Sequence, residues 1–356
     1  MKVGILNVQW LNNQGSVLLA YAVQKKLDEM NIENEIINFM PCEYNENGEI
    51  PSAHPEEKSS SSEKIRKYTE FRKNHLRLSK DYIGIGDVDE LDYDAYILGS
   101  DTVWTPIRIH DTEAYMYYFE FCKDKPSRKI SWAASIGSES KEDLDMIAPI
   151  LTERLKNFDY ISVRERESVE FIQSLTDKKV FHAIDPVLML EKEDYDEILP
   201  DSHEELGNYI YTYLFDDVEG AYETINKLST HTKLPVVANV KDLNRIDNLL
   251  LDSEDDGPSE IIEKIFNAEY IITDSFHIMI YAILSRKAFV TYSRVNTSIR
   301  LRNILEDLNL SSKFLQSNQD GFEEILKEID YENVFKIVDK WRDSTMEFLN
   351  DALNID

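Results

Sequence analysis

The run from Thr273 to His277 carries the strongest local signal for chemistry, because an apolar stretch ends there in a polar turn. An imidazole at this position can exchange protons near neutral pH. Asp274 and Ser275 are residue types that cap helices, and a helix N-terminus also favours a bound anion. The pattern indicates either an anion site with a proton donor or a helix start with two caps and a packing histidine.

Arginine is the second residue type that suggests binding chemistry. Arg164 follows the apolar run 161–163, and its guanidinium can bind a carboxylate or a phosphate through two parallel hydrogen bonds. The alternative is a surface ion pair with Glu165 or Glu167. The otherwise acidic C-terminal half also contains a basic cluster of Arg294, Arg300 and Arg302. The alternative interpretation is that these arginines are solvated charges on the surface of a helix.

A third segment joins a glycine, a carboxylate and an aromatic ring. Gly99 permits close approach of the backbone, and Asp101 and Trp104 follow it within a few residues. A carboxylate beside an aromatic face suits the hydroxyl groups and the ring of a sugar. The plainer alternative is that Ser100 or Asp101 caps a helix while Trp104 belongs to the core.

These side chains need strands to hold them, and the chain opens with a β-α-β pattern. Residues 2–8 read as a buried strand, 17–30 as a helix and 35–39 as the next strand. Such a unit has parallel strands and a right-handed connection. The turn that contains Asn13 and Gly15 then lies at the carboxyl edge of the sheet, where ligands usually bind.

The rest of the chain continues the alternation and predicts two Rossmann-like domains. The predicted N-terminal domain spans 1–190, the C-terminal domain 191–330, and a helical segment over 331–356 packs back across the boundary. Residues 41–63 are polar and acidic, which favours a mobile excursion. Further strands are expected at 93–98, 130–134, 160–163, 180–183, 209–215, 236–240, 270–273 and 289–291, with helices at 64–76, 222–232, 279–285 and 322–353.

Composition excludes several classes of function. Of the 356 residues, 42% are hydrophobic and 30% charged, which is typical of a folded globular protein. The 39 basic and 68 acidic side chains give a formal net charge of −29. This charge disfavours nucleic acid or an anionic membrane surface as a partner, since phosphate groups need cationic faces. An anionic small ligand would need a local pocket of arginines.

Cys42 and Cys122 show no paired spacing of a disulfide framework or a zinc site. The apolar start, residues 2–6, is too short for a signal-peptide core, and no later run reaches membrane length. The sequence also lacks the glycine-rich nucleotide motifs and His-Glu-x-x-His. We therefore expect a cytoplasmic protein, and metal-free chemistry on a small anion stays open.

Several segments, in order along the chain, resemble those of the polysaccharide pyruvyl transferase family. Each is a weak motif alone, but their common order covers most of the chain. They are Lys2–Leu6 with Asn13–Leu18, Gly99–Trp104, Tyr118–Phe121 with Lys129–Gly137, Ser162–Glu165, Asp185–Leu188, and Thr273–His277 followed by Arg300.

The resemblance implies two facing Rossmann-like domains of the GT-B type with a cleft between them. It also implies transfer of the enolpyruvyl group of phosphoenolpyruvate to sugar hydroxyls of a polysaccharide or glycolipid precursor, giving a pyruvate ketal and phosphate. His277 would be the general acid or a phosphate contact, and Arg164 and Arg300 would hold the donor. The N-terminal domain would take the acceptor and the C-terminal domain the donor, with no further cofactor.

We predict catalytic roles for His277 and Asp101, and the predicted substrate contacts are Arg164, Arg300, Ser275, Asp274, Asn13, Gly15 and Trp104. Two positions depart from the resembled pattern. Ile278 stands where the branch with Ser-Phe-His usually has glycine, and Ser275 stands where other branches have arginine. A sugar-nucleotide glycosyltransferase is an alternative because the same architecture serves several functions, and Ile278 motivates a non-catalytic relative as another. A homo-oligomer is possible.

Overall fold

The computed structural model of this chain describes residues 1–40, 61–83, 88, 90–105, 112–137, 140–201, 205–294 and 298–355. These residues form two compact units. The first unit draws on 1–60, 69–190 and 340–356, and the second on 61–68 and 191–339. Each contains a parallel sheet with helices, which confirms the predicted α/β class. The predicted excursion at 41–63 lies mostly outside the described residues.

The first unit is built on seven parallel strands. They are β1 Lys2–Leu6, β2 Glu33–Met40, β3 Leu78–Ile83, β4 Ala95–Leu98, β5 Arg128–Ala134, β6 Tyr160–Val163 and β7 Val180–His182. Their order in the sheet is β3-β2-β1-β4-β5-β6-β7. The helices that start in this part of the chain are α1 Gln14–Glu29, α2 Ser62–His75, α3 Thr112–Tyr117, α4 Lys141–Arg154 and α5 Arg166–Ser174.

The second unit repeats the plan with six parallel strands. They are β8 Ile210–Tyr213, β9 Val236–Asn239, β10 Leu249–Asp252, β11 Tyr270–Thr273, β12 Ala288–Tyr292 and β13 Phe314–Leu315, in the order β10-β9-β8-β11-β12-β13. The helices are α6 Glu219–Thr232, α7 Pro258–Asn267, α8 Phe276–Leu284, α9 Ser298–Asp307, α10 Phe322–Ile325 and α11 Tyr331–Leu353.

Central strands of both sheets are buried on both faces. The four residues of β4 are each 0% exposed, and so are Ile271 and Ile272 of β11. Helices that cover both faces of a parallel sheet leave its central strands no contact with water, so these strands are continuous apolar runs. This is why the sequence pattern locates them within a few residues.

The edges of the sheets are where prediction and structure differ. β3, β10 and β13 were not predicted, and each lies at an edge of its sheet. β3 is polar in half of its positions, β10 carries the exposed Leu249 and Leu250, and β13 has two residues. An edge strand has a neighbour on one side only, so its sequence needs no long apolar run.

The helical segment predicted over 322–353 is interrupted. α10 ends at Ile325 and α11 begins at Tyr331. Residues 331–339 belong to the second unit, whereas 340–353 belong to the first. There Arg342 donates to the carbonyl oxygens of Leu188 and Leu190, at 2.6 Å each.

Helix α2 is continuous but contributes to both units: residues 62–68 belong to the second unit and 69–75 to the first. Among the described residues, no helix is both long enough and apolar enough to span a membrane.

Candidate functional site

The strand order of each sheet reverses between two central neighbours. These are β1 and β4 in the first unit, and β8 and β11 in the second. Ligands of open parallel sheets bind beyond the carboxyl ends of such a pair. The predicted site residues follow β1, β4, β6 and β11, with Arg300 in α9.

In the first unit, the start of α1 is tied to the end of β4. Asn13 caps the helix, and its side-chain oxygen accepts from the backbone N–H of Ser16 at 3.3 Å. The Ser16 hydroxyl donates to Oδ2 of Asp101 at 2.8 Å. Gly15 is buried in the first turn between them. The structure therefore brings Asn13, Gly15 and Asp101 together.

Asp101 has a backbone φ of 109°, in the left-handed region that residues other than glycine rarely adopt. Such a conformation costs about 1–3 kcal/mol and persists where neighbouring contacts hold it. The Asp101 carbonyl accepts from the N–H groups of Val103 and Ser135, at 2.8 and 3.0 Å. Its carboxylate, only partly buried, accepts from the Thr102 N–H at 2.7 Å. A carboxylate fixed in this way can accept hydrogen bonds from sugar hydroxyls.

Asn7, which sequence analysis did not single out, lies at the same edge just after β1. It is 3% exposed, and neither atom of its amide has a hydrogen-bond partner in the described part of the chain. The amide packs on Gly99, where a Cβ atom would lie 2.3 Å from its Nδ2. A glycine is therefore required there for close approach. The one signal in the sequence is a polar residue directly after an apolar strand.

Arg164 lies in a buried cluster of charges at the end of β6. Its side chain is 4% exposed, and its Nε donates to Oε1 of Glu165 at 2.9 Å. Its Nη1 lies 3.2 Å from Oδ2 of Asp185 and 3.4 Å from the hydroxyl of Ser100. Glu165 and Asp185 are buried too. Arg164 thus holds two carboxylates of its own chain.

Electrostatics keeps this arginine charged. Burial disfavours the guanidinium, but Glu165, Asp185 and Asp101 outweigh that cost and raise the pKa of Arg164 above its ordinary value. One positive charge among three carboxylates does not attract an anion. The geometry therefore favours a structural ion cluster over the predicted contact of Arg164 with an anionic donor, and the cluster is buried rather than on the surface.

Trp104 also lies away from the position expected for a sugar contact. It is 0% exposed, and its ring stacks on Tyr118 with centroids 6.0 Å apart and packs edge-on against Phe158 at 5.4 Å. The turn after Asp101 directs the indole into the aromatic core of the unit. The structure thus corrects the predicted contact to a supporting role, which is the core alternative stated for this residue.

In the second unit, α8 has one residue that is partly exposed, His277, although its Nε2 atom is buried. Every residue of α8 except His277 is buried. His277 occupies the second position of the helix, and its ring packs edge-on against Phe276 at 5.3 Å. Ser275 is the N-cap, but its side chain makes no capping hydrogen bond. The positive end of the helix dipole and an imidazole therefore meet at the carboxyl end of β11.

Arg300 joins this group from α9. Its guanidinium carbon lies 5.9 Å from the centre of the Phe276 ring, against which His277 also packs. Arg294 makes different contacts: its Nε donates to Asp216 at 3.1 Å, and the guanidinium covers the Phe215 ring at 4.6 Å. Of the predicted basic cluster, Arg300 thus shares with the histidine a contact to the ring of Phe276, whereas Arg294 pairs with Asp216 in the loop after β8.

Asp274 holds the loop that follows β8. Its side chain is 0% exposed, and its two oxygens accept from the backbone N–H groups of Phe215 at 2.8 Å and Asp216 at 2.9 Å. Burial raises the pKa of Asp274 to about 6, although those two donors and Arg294 act in the opposite direction. Asp274 therefore shapes the site by clamping a loop, with its carboxylate turned away from solvent.

Ile278 is 0% exposed and packs within the unit. The residue that replaces the glycine of the resembled pattern therefore lies on the buried side of α8, next to the partly accessible His277.

The Arg164 cluster leads to a prediction about stability. Replacement Arg164→Met leaves Glu165 and Asp185 buried without their cation, and we expect the free energy of unfolding to fall by about 3–5 kcal/mol. Arg166→Met is the matched control, because Arg166 is 55% exposed and pairs with Glu167 only at the surface; it should change stability by less than about 0.5 kcal/mol. Urea unfolding measures both. An Arg164→Met protein as stable as the wild type would contradict the structural role.

The raised pKa of Asp274 predicts a specific pH dependence. The folded state holds this proton more tightly than the unfolded chain, so the stabilising effect of protonation is complete below about pH 4 and is lost as the pH rises through about 6. Asp274→Asn cannot ionise. Between about pH 4 and 7, the wild type should therefore lose about 2–3 kcal/mol of unfolding free energy relative to the variant. Urea titrations at several pH values measure this difference, and a difference independent of pH would contradict the assignment.

Solved structures show the same fold at low sequence identity. UDP-N-acetylglucosamine 2-epimerase from Rickettsia bellii aligns with a TM-score of 0.59 and 9% identity over 99% of this chain and 96% of its own. The UDP-GlcNAc 2-epimerase from Neisseria meningitidis bound to UDP-GlcNAc gives 0.52 and 11%, over 99% and 94%. The glycosyltransferase SnogD from Streptomyces nogalater gives 0.50 and 8%, over 100% and 98%. These likenesses agree with two Rossmann-like domains of the GT-B kind.

No curated protein matches the chain by sequence. The sequence profile described as Polysaccharide pyruvyl transferase, by contrast, matches residues 13–295. Of the four strands between which the sheets reverse order, this range contains β4, β8 and β11 but not β1. It extends past β12 to include Arg294. Because the match covers most of the chain, the chain belongs to the polysaccharide pyruvyl transferase family.

Proposed function

We propose that this protein transfers the enolpyruvyl group of phosphoenolpyruvate to two hydroxyls of a sugar in a polysaccharide or glycolipid precursor. The products are a cyclic pyruvate ketal and phosphate. Family membership supports a transferase of this class. The observation that carries the specific proposal is the group formed by His277, the uncapped start of α8, and Arg300 beside the shared Phe276 ring.

This group suits the donor. Phosphoenolpyruvate carries a phosphate and a carboxylate, and helix N-termini bind such groups through backbone N–H donors. The Ser275 side chain makes no capping hydrogen bond, so it does not compete for that position. Arg300 supplies a permanent cation with a planar set of donors, which matches a carboxylate or phosphate geometry. In a chain of net charge −29, these two features provide local attraction for an anion.

His277 provides the proton that starts the reaction. Protonation of the donor's methylene carbon converts it to a methyl group and leaves an oxocarbenium-like centre at the neighbouring carbon. One sugar hydroxyl adds to that centre, and a second displaces the phosphate. Of the two hydroxyl protons released, one restores the acid and the other leaves on hydrogen phosphate. Arg300 and the helix end stabilise the charge that grows on the leaving group.

The acceptor belongs at the first unit's edge in this proposal. Asp101 accepts a hydrogen bond from a hydroxyl of the acceptor sugar and orients it. Asn13 and Gly15 hold the start of α1 beside it. We place the reaction in the cytoplasm and assign it no cofactor besides the donor.

The decisive experiment follows phosphate released from phosphoenolpyruvate by the purified protein with a panel of sugar and lipid-linked sugar acceptors. Formation of the ketal is checked by the methyl signal of the product in proton NMR. Release that depends on an acceptor supports the proposal. No release with any acceptor, together with thermal stabilisation by nucleoside diphosphates and not by phosphoenolpyruvate, would instead indicate a sugar-nucleotide glycosyltransferase.

Removal of the imidazole should abolish most of the turnover. For His277→Ala we expect kcat to fall about 100- to 10,000-fold, which is the usual contribution of a positioned acid. His231→Ala is the control, because His231 lies in the last turn of α6 and packs on Phe322; its kcat should stay near the wild-type value. Equal kcat values for the two variants would remove His277 from the mechanism.

Arg300 should act on donor binding. Arg300→Ala removes a charged hydrogen-bond donor, so KM for phosphoenolpyruvate should rise about 10- to 100-fold, with a smaller change in KM for the acceptor. Arg302→Ala, on the same helix but 49% exposed and 3.9 Å from Glu306, is the matched control. A donor KM that rises equally in both variants would point to nonspecific electrostatics instead.

A further inference from the structure

Arg72 binds the loop between β1 and α1 at four points. Its Nε donates to the carbonyl oxygen of Gln9 at 2.7 Å. Its Nη2 lies within 3.0 Å of the Trp10 oxygen, 2.7 Å of the Leu11 oxygen and 2.8 Å of Oδ1 of Asn12. Arg72 stands in the part of α2 that belongs to the first unit, as does the loop. A single guanidinium thus contacts four successive residues of the connection.

The loop needs such a partner. β1 ends at Leu6 and α1 begins at Gln14. The carbonyl oxygens of residues 9–11 therefore lie outside strand and helix and receive no regular backbone hydrogen bond from either. Backbone acceptors in a partly buried loop must find donors elsewhere. A guanidinium presents several N–H groups in one rigid plane and can serve successive carbonyls at once, which the flexible ammonium of lysine cannot do.

This loop leads directly into the group described for the first unit. Asn13 follows it and caps α1, and Ser16 in the first turn of α1 hydrogen-bonds to Asp101. The loop starts at the carboxyl end of β1, one of the two strands between which the sheet order reverses. Any shift of residues 9–12 therefore moves the start of α1 relative to Asp101.

We propose that Arg72 is the positioning residue of the acceptor site. It touches no substrate; it holds residues 9–12 so that Asn13, the first turn of α1 and Asp101 present one fixed surface to the sugar. The chemical identity of the ligand rests on the proposed function, whereas the clamp itself does not. The ligand class is a neutral polyhydroxyl acceptor, since the edge carries more carboxylate than cation.

The test compares Arg72→Ala and Arg72→Lys with Arg77→Ala. Arg77 is a matched control because it also makes several hydrogen bonds, to Asp28 and Asn34, but none to the loop. We expect Arg72→Ala to raise KM for the acceptor about 10- to 100-fold, as misplacement by about 1 Å does in other sites, while KM for phosphoenolpyruvate stays within about twofold. Arg72→Lys should recover part of the loss, and added guanidinium should recover part of it in Arg72→Ala.

A second readout does not depend on turnover. Hydrogen exchange of peptides covering residues 7–17 should accelerate in Arg72→Ala and remain at the wild-type rate in Arg77→Ala, whose changes should fall near residues 28–34. If the wild type releases no phosphate, the proposed function fails and this exchange pattern alone decides the clamp. Unchanged exchange over 7–17, or a rise in KM for the donor rather than the acceptor, overturns the positioning role.

Discussion

Parallel pairing of the strands is the constraint on which the rest of this structure depends. Every strand of a parallel sheet points the same way, so the turns that follow the strands gather at one edge. In the first unit this edge collects Asn7, Asp101 and Arg164, which are far apart in sequence. In the second unit the edge collects Asp274 and His277 after β11, together with the loop of Phe215 and Asp216 after β8. Helices cover the faces, so the edge is where polar groups can meet.

Burial of charge at that edge determines which side chains are held and which stay available. Arg164 compensates Glu165 and Asp185 inside the first unit, and a lone charge there would cost several kcal/mol. The two carboxylate oxygens of Asp274 accept hydrogen bonds from two backbone N–H groups of the neighbouring loop. Groups committed in this way shape a site without contacting its ligand. Asp101 and His277, by contrast, are only partly buried, and they are the residues to which the proposed function assigns chemistry.

The two edges present different sets of polar and charged groups. The first combines Arg164 with three carboxylates, Glu165, Asp185 and Asp101, that raise its pKa. The second combines a helix N-terminus with Arg300 and an imidazole.

The sequence by itself determined the elements whose signal is local. Apolar runs located the central strands because burial on both faces leaves no other residue type there, and the order of short motifs identified the family. It also located His277, Asp101 and Asn13 at strand ends and helix starts. It missed β3, β10 and β13, since edge strands have one neighbour and a weak pattern. Only the tertiary structure decided that Arg164 faces carboxylates and that Trp104 belongs to the core. It also decided that Arg72 binds a loop that is distant in sequence, with Gln9 lying 63 residues before it. Those roles depend on which groups meet in space, and no local pattern encodes the partner of a long side chain.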